Sequence, residues 1–198
     1  MKKTFVFFIL IVMIGLTNTY SQEVSFGVKA GVNFSDITGD DTASFSGLTA
    51  FHIGVVSEIM ISETFAFQPE LLYSAQGSDW KDDFEGETFE GTVKLSYLNI
   101  PLMAKYYVAE GFSLEVGPQL GLLLSAKDEY DSTEDDIKDD LKGLDFGVNF
   151  GLGYKLDNGL NFGARYNLGL TDGNDNPDSL GDSSYKNSVI QVSVGYFF

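Results

Sequence analysis

From Phe112 the chain alternates without interruption: Phe112, Leu114, Val116, Pro118, Leu120, Leu122 and Leu124 fall on one phase, and Ser113, Glu115, Gly117, Gln119, Gly121, Leu123 and Ser125 on the other. A period of 2 held this long is a β-strand between two different environments, because successive side chains leave opposite faces. The split returns in Phe26 to Phe34, Phe51 to Val55, Phe65 to Ser74, Leu144 to Lys155, Leu160 to Leu168 and Ile190 to Phe198. Thr92 to Tyr107 supplies an eighth strand, whose apolar phase changes near Tyr97 and Leu98 and so predicts a β-bulge there. Beyond Gln22 there is neither a helical period of 3.6 nor an apolar run of bilayer-spanning length.

The connections alternate too. Short links at Ile61 to Thr64, Val108 to Gly111 and Asp157 to Gly159 interleave with long polar ones at Asp36 to Gly47, Gly77 to Gly91, Lys127 to Gly143 and Thr171 to Lys186. That order puts every long loop at one end of an up-and-down antiparallel sheet. The hairpin at Asp157, Asn158 and Gly159 tests the pattern, since a three-residue loop with Gly in the left-handed position fixes register. It places Lys155 opposite Asn161, Gly153 opposite Gly163 and Gly151 opposite Arg165 on one face, with Tyr154 opposite Phe162 and Phe150 opposite Tyr166 on the other. Turn chemistry and face assignment agree.

Alternation alone does not say which face is inside. A soluble lipocalin-like ligand-binding barrel turns its apolar phase inward, and an outer-membrane barrel turns it outward. Four features favour outward. The other phase is rich in Gly, Ser and Asn with isolated charges, as the narrow interior of eight strands demands. Aromatics collect at strand ends, with Phe65, Tyr106, Phe112, Tyr154, Phe162, Tyr196 and Phe198 at the short-loop end and Phe34, Phe51, Tyr73 and Phe146 toward the other. Such girdles mark membrane interfaces. Long loops occupy one end only, and the final strand closes on Tyr196, Phe197 and Phe198. The fold class read from the sequence is therefore all-β, an eight-stranded antiparallel up-and-down transmembrane β-barrel in the bacterial outer membrane.

Lys2 and Lys3, the apolar stretch Phe5 to Leu16 and the small polar residues up to Ser21 make a cleavable export signal, cut between Ser21 and Gln22. The domain plan is residues 1–21 as signal peptide and 22–198 as barrel. Composition excludes several functions. The chain has 198 residues, no Cys and one His, so thiol chemistry and multi-histidine metal sites are absent. Twelve basic against 29 acidic residues, a net charge of −17, repel nucleic acid.

The inward phase carries Lys29, His52, Glu58, Gln68, Glu70, Lys105, Glu115, Gln119, Lys155, Arg165 and Gln191. Charges in a narrow lumen must be paired or solvated. The expected arrangement is a ladder in which Glu70 and Glu115 neutralise Arg165, Lys105 and Lys29, within an interior cluster that also holds Glu58 and Lys155; an ion or proton path is the functional alternative. No catalysis is expected. His52, Ser57 and Glu58 supply the residue types of a hydrolytic triad, but His52 and Ser57 fall on opposite faces of one strand, roughly 17 Å apart at about 3.4 Å per residue. The four long links hold 21 of the 29 acids. Asp172, Asn174, Asp175, Asn176 and Asp178 crowd oxygen ligands as a calcium site would, yet Pro177 and Ser183 break the EF-hand pattern and the segment reads as solvated loop. No dedicated cofactor is implied. Divalent cations bridging loop carboxylates to the anionic outer leaflet are the one expectation of that kind.

The opening Phe26 to Phe34 (Phe-Gly-Val-Lys-Ala-Gly-Val-Asn-Phe), the Gln68 to Tyr73 strand (Gln-Pro-Glu-Leu-Leu-Tyr), the Tyr97 to Leu102 strand (Tyr-Leu-Asn-Ile-Pro-Leu) and the terminal aromatic resemble the outer-membrane β-barrel domain family of Bacteroidetes-type bacteria, the porin-like or PorT-like group. The resemblance implies a small outer-membrane barrel and carries no catalytic motif. The terminal Phe198 resembles the signal read by the barrel-assembly machinery, and kinship with PorT implies a link to secretion. The role expected is structural or surface-interactive through acidic extracellular loops. A porin-like or transport channel and a secretion-accessory barrel are the alternatives. Expected partners are outer-membrane lipid, the assembly machinery, and surface or periplasmic proteins, with the chain itself a monomer.

Overall fold

The computed structural model describes residues 23–39, 44–84, 86–176 and 184–198. The signal-peptide reading of residues 1–21 lies outside the described residues. Strands β1 (Val24–Gly39), β2 (Phe45–Met60), β3 (Phe65–Phe84), β4 (Glu87–Ala109), β5 (Phe112–Tyr130), β7 (Leu144–Lys155), β8 (Leu160–Gly169) and β9 (Tyr185–Phe197) pair with their neighbours antiparallel. β1 pairs with β9, from Gly27 opposite Phe197 to Gly39 opposite Tyr185, and closes the ring. A short strand β6 (Thr133–Asp136) stands outside the ring and folds back on the end of β5. Among the described residues no helix is long and apolar enough to cross a membrane.

The faces sort as the alternation requires. Phe26, Val28, Phe51, Ile53, Val55, Phe146, Phe150, Ile190 and Val192 are all at least half exposed on the outside of the ring. Polar side chains occupy the inside: Asn33, Ser74 and Asn149 show no exposed surface. An apolar outer face of this kind matches a hydrocarbon solvent. Along β7 the span from Tyr154 to Phe146 is roughly 27 Å at about 3.4 Å per residue. Strand tilt of about 40° reduces this to roughly 21 Å along the barrel axis, close to the apolar band of an outer-membrane barrel.

The tight turns lie at the end that also holds Glu23 and Phe198. Gly111 and Gly159 adopt φ of 72° and 88°, the left-handed region that a three-residue closure needs. The register of β7 with β8 sets Gly151 opposite Arg165 and Lys155 opposite Asn161, the pairing expected from the Asn158 hairpin.

Two expectations need correction. First, β4 does not change phase near Tyr97: its inward set continues through Leu95, Tyr97, Asn99, Met103 and Lys105. The register slips instead on β5, where Ser96 faces Ser125 but Tyr97 faces Leu123, leaving Leu124 as the extra residue. The apparent flip arises because inward Asn99 and Lys105 are polar, whereas inward Leu95 and Tyr97, nearer the long-loop end, are apolar. Second, Gly77 to Gly91 is not a long loop. β3 runs on to Phe84 and β4 starts at Glu87, with every pair from Gly77–Lys94 to Phe84–Glu87 in register. Acids there have cross-strand partners, as in Thr92 to Asp79 at 2.7 Å, Thr88 to Asp83 at 2.6 Å and Lys81 to Glu90 at 3.3 Å. Such pairs stabilise a ladder that composition alone reads as loop.

Candidate functional site

Inward positions of seven ring strands meet in one buried network. Arg165 on β8 donates from Nη1 and Nη2 to the two carboxylate oxygens of Glu70 on β3, at 3.0 and 2.9 Å, and from Nη2 to Glu115 on β5 at 2.8 Å. This fork is the geometry in which guanidinium and carboxylate bind most strongly. Lys29 on β1 lies 3.3 Å from both Glu70 oxygens, and Gln68 donates to Glu70 at 2.6 Å. Gln68 then accepts from Lys105 on β4 at 3.1 Å. Lys105 reaches Glu58 on β2 at 2.7 Å and Glu115 at 3.6 Å. Glu58 also takes Lys155 of β7 at 2.6 Å and the Tyr107 hydroxyl at 2.6 Å. Lys155 faces the short-turn mouth and stands 4.7 Å over the Phe197 ring.

Glu58 thus joins Lys105 to Lys155, a role the five-residue ladder omits. Antiparallel register alone places Glu115 opposite Lys105, but the stagger of a closed barrel carries residues of distant strands to the same depth. Four cations face three carboxylates, and the surplus sits at Lys155, whose side chain is 25% exposed, while Lys105 and Glu58 are 1% exposed. Gly153 makes room for this layer: a Cβ there would lie 2.5 Å from Glu115 Oε1 and 2.7 Å from Ser113 Oγ.

Above the charges lies a neutral layer. Asn33 Oδ1 accepts from His52 Nδ1 at 2.7 Å and from Gln191 at 3.0 Å, and Asn33 Nδ2 donates to Ser74 at 2.9 Å. With Nδ1 the donor, His52 Nε2 is left to accept from Ser193 at 3.0 Å. Both ring nitrogens are engaged across the lumen, and Ser57, which pairs with Phe26, belongs to the opposite face of β2. Gln119, Asn149 and Asn167 continue the layer through bonds of 3.2 and 3.1 Å.

Toward the long-loop end the interior turns apolar: Leu95, Tyr97, Leu123 and Ala126 form a buried cluster, with Val93, Ile137 and Leu141 packed against it. The sequence reading missed this layer. Alternation of Val93, Leu95 and Tyr97 was its signal, obscured by reading the apolar inward residues as a change of phase near Tyr97. At the opposite mouth an open recess of about 780 Å³ includes Glu58, Tyr107 and Lys155 in its lining.

The calcium candidates are placed differently. Asp172 accepts the backbone N–H groups of Asn174 and Tyr185 at 3.2 and 3.0 Å, Asn174 that of Asn176 at 3.1 Å, and the Asn176 amide donates to Asp140 at 2.7 Å. These oxygens shape the turn. Asp178 lies outside the described residues, and among the described residues no group of three or more His, Asp or Glu is arranged to hold a metal ion. Partial burial raises the Asp172 carboxyl, but the Tyr185 and Asn174 N–H groups and Lys142 outweigh it and hold it below the ordinary aspartate range.

A closed eight-stranded ring with lipid-like exposure outside and paired charges within defines a small outer-membrane β-barrel, and the soluble-barrel alternative is set aside. The chain belongs to the outer membrane protein beta-barrel domain family, whose model matches residues 20–173. Among solved structures it is similar to Neisserial surface protein A, with a TM-score of 0.55 at 11% identity over 89% of this chain and 99% of that one. It is also similar to Ail, the attachment invasion locus protein of Yersinia pestis, solved in complex with the heparin analogue sucrose octasulfate, with a TM-score of 0.50 at 13% identity over 89% and 99%. Identities this low speak for the fold alone. None of the curated proteins compared matches the sequence. The protein resides in the bacterial outer membrane.

Proposed function

We propose that this protein is a non-conducting barrel that presents an acidic surface outside the cell, in a structural or surface-interaction role without catalysis. One observation carries the reading: charges in the lumen are spent on one another, whereas those available to a partner are outside. The four outer segments hold 21 acids against five lysines. Much of that charge is displayed on ordered strands, the β3–β4 extension and the β5–β6 hairpin. Rigid display lowers the entropy lost on binding. An anionic display favours cationic partner surfaces, the opposite of the heparin analogue held by that structure of Ail.

The Bacteroidetes-type, PorT-like kinship fits this reading, with the periplasmic recess as the place where a secretion-accessory partner would engage. The test is adsorption of the vesicle-embedded protein to polylysine-coated and heparin-coated surfaces at rising salt. Binding to polylysine that weakens with salt, and none to heparin, is expected. Equal binding to both, or none to either, rejects the acidic-display role.

A further inference from the structure

The apolar layer at the outer mouth does not close on itself. Val93, Leu95, Trp80, Phe45, Ile137 and Leu141 are among the residues that line a cavity of about 360 Å³ inside the ring. Interiors that serve only as core are packed without such voids. The cavity is half open, and water in it gains little beside apolar walls that offer few polar partners. Polar groups in the wall are already engaged: the Trp80 indole N–H donates to Asp128 at 2.8 Å, and the Asn187 amide bonds the Tyr97 hydroxyl and Asp145, each at 3.1 Å. The wall thus offers mainly apolar contact, with Lys186 the charged donor in its lining. The aromatic rim, Trp80 stacked on Tyr130 at 5.9 Å and Phe45 edge-on to Tyr185 at 6.2 Å, provides flat contact surface.

We infer that this cavity is a binding site for a small, uncharged, apolar molecule entering from outside the cell. The volume falls at the lower end of ligand-sized pockets, about 300–1,000 Å³. Charge selects the class: Asp128 and Lys186 are the charged members of the wall, one of each sign, so an ion would lose its hydration among apolar side chains for little net Coulombic gain, whereas a neutral ring or short hydrocarbon loses nothing. The polar and charged layers beneath stop such a molecule from passing to the periplasm, so the site binds without conducting.

Trp80 is the chain's single tryptophan and lines the cavity, so its emission reports occupancy. The experiment titrates the full barrel domain in phosphocholine nanodiscs with N-phenyl-1-naphthylamine, which is uncharged, and with 8-anilino-1-naphthalenesulfonate, its anionic analogue. Empty nanodiscs and a W80F variant supply the background. The uncharged probe should show saturable energy transfer from Trp80, and the sulfonate should bind about tenfold or more weakly, the effect of roughly 1.4 kcal/mol. Filling the cavity by V93F should weaken the uncharged probe by about tenfold or more. L141F does the same from the segment after β6, outside the ring strands, so it keeps the test decisive if V93F does not fold. No saturable transfer, equal binding of the sulfonate, or unchanged affinity in the folded L141F protein would each overturn the inference.

Discussion

An arginine buried in a barrel lumen is tolerated when its charge is met by carboxylates within hydrogen-bonding reach, because desolvating an unpaired ion costs several kcal/mol. Arg165 meets Glu70 and Glu115 in this way. Replacing it by Met leaves two carboxylates buried with only the lysines, and R165M should destabilise the barrel by about 3–5 kcal/mol in urea unfolding from lipid vesicles. A loss below about 1 kcal/mol would mean that the fork contributes little. Glycine placement gives a paired test. Alanine at Gly153 would crowd Glu115 and Ser113, but at Gly163 the nearest atom is 3.7 Å away. G153A should cost about 1–3 kcal/mol, the ordinary cost of overpacking, and G163A close to nothing. Asp172 supplies the pH dependence. Its folded-state pKa is lowered, so the stability it lends is present above the unfolded aspartate value and is lost as pH falls through the folded one. D172N should remove that acid-side loss, read as local amide exchange at Asn174 and Tyr185.

At the scale of elements, the β5–β6 hairpin turns through Asp131 and Ser132, both at positive φ, 46° and 64°. This turn favours Asn-Gly, and a non-glycine residue there costs about 1 kcal/mol. S132G should therefore stabilise the hairpin by about that amount, seen as slower amide exchange across Lys127 to Asp136. Unchanged exchange would show that the turn is not held in that conformation. The β3–β4 extension reaches from Tyr73 to Phe84, roughly 37 Å at about 3.4 Å per residue. The ring strands were legible because lipid outside and polar lumen inside imprint a strict period of 2. This extension was not, since neither of its faces is hydrocarbon and its acids are matched by Thr and Lys across the strand rather than along the chain.

For the molecule as a whole, the depth profile of the lumen decides what the barrel can do. Charged, neutral polar and apolar layers follow one another from the short-turn mouth toward the long-loop mouth. The first was partly legible: Lys29, Glu70, Glu115 and Arg165 announce themselves as charges on an inward phase. The role of Glu58 was hidden, because barrel stagger is a property of closure and leaves no mark on any single strand. The apolar layer was hidden by its likeness to a phase error. Seven strands contribute to the charge network, and the proposed non-conducting role requires that they leave no continuous aqueous path for ions. Single-channel recording in planar bilayers tests that claim most directly. The wild-type barrel should give no conductance steps in about 1 M salt, where screening over about 3 Å leaves buried pairs largely intact. Reproducible steps that vanish when Arg165 is replaced would show an ion path through the network and contradict the closed-lumen account.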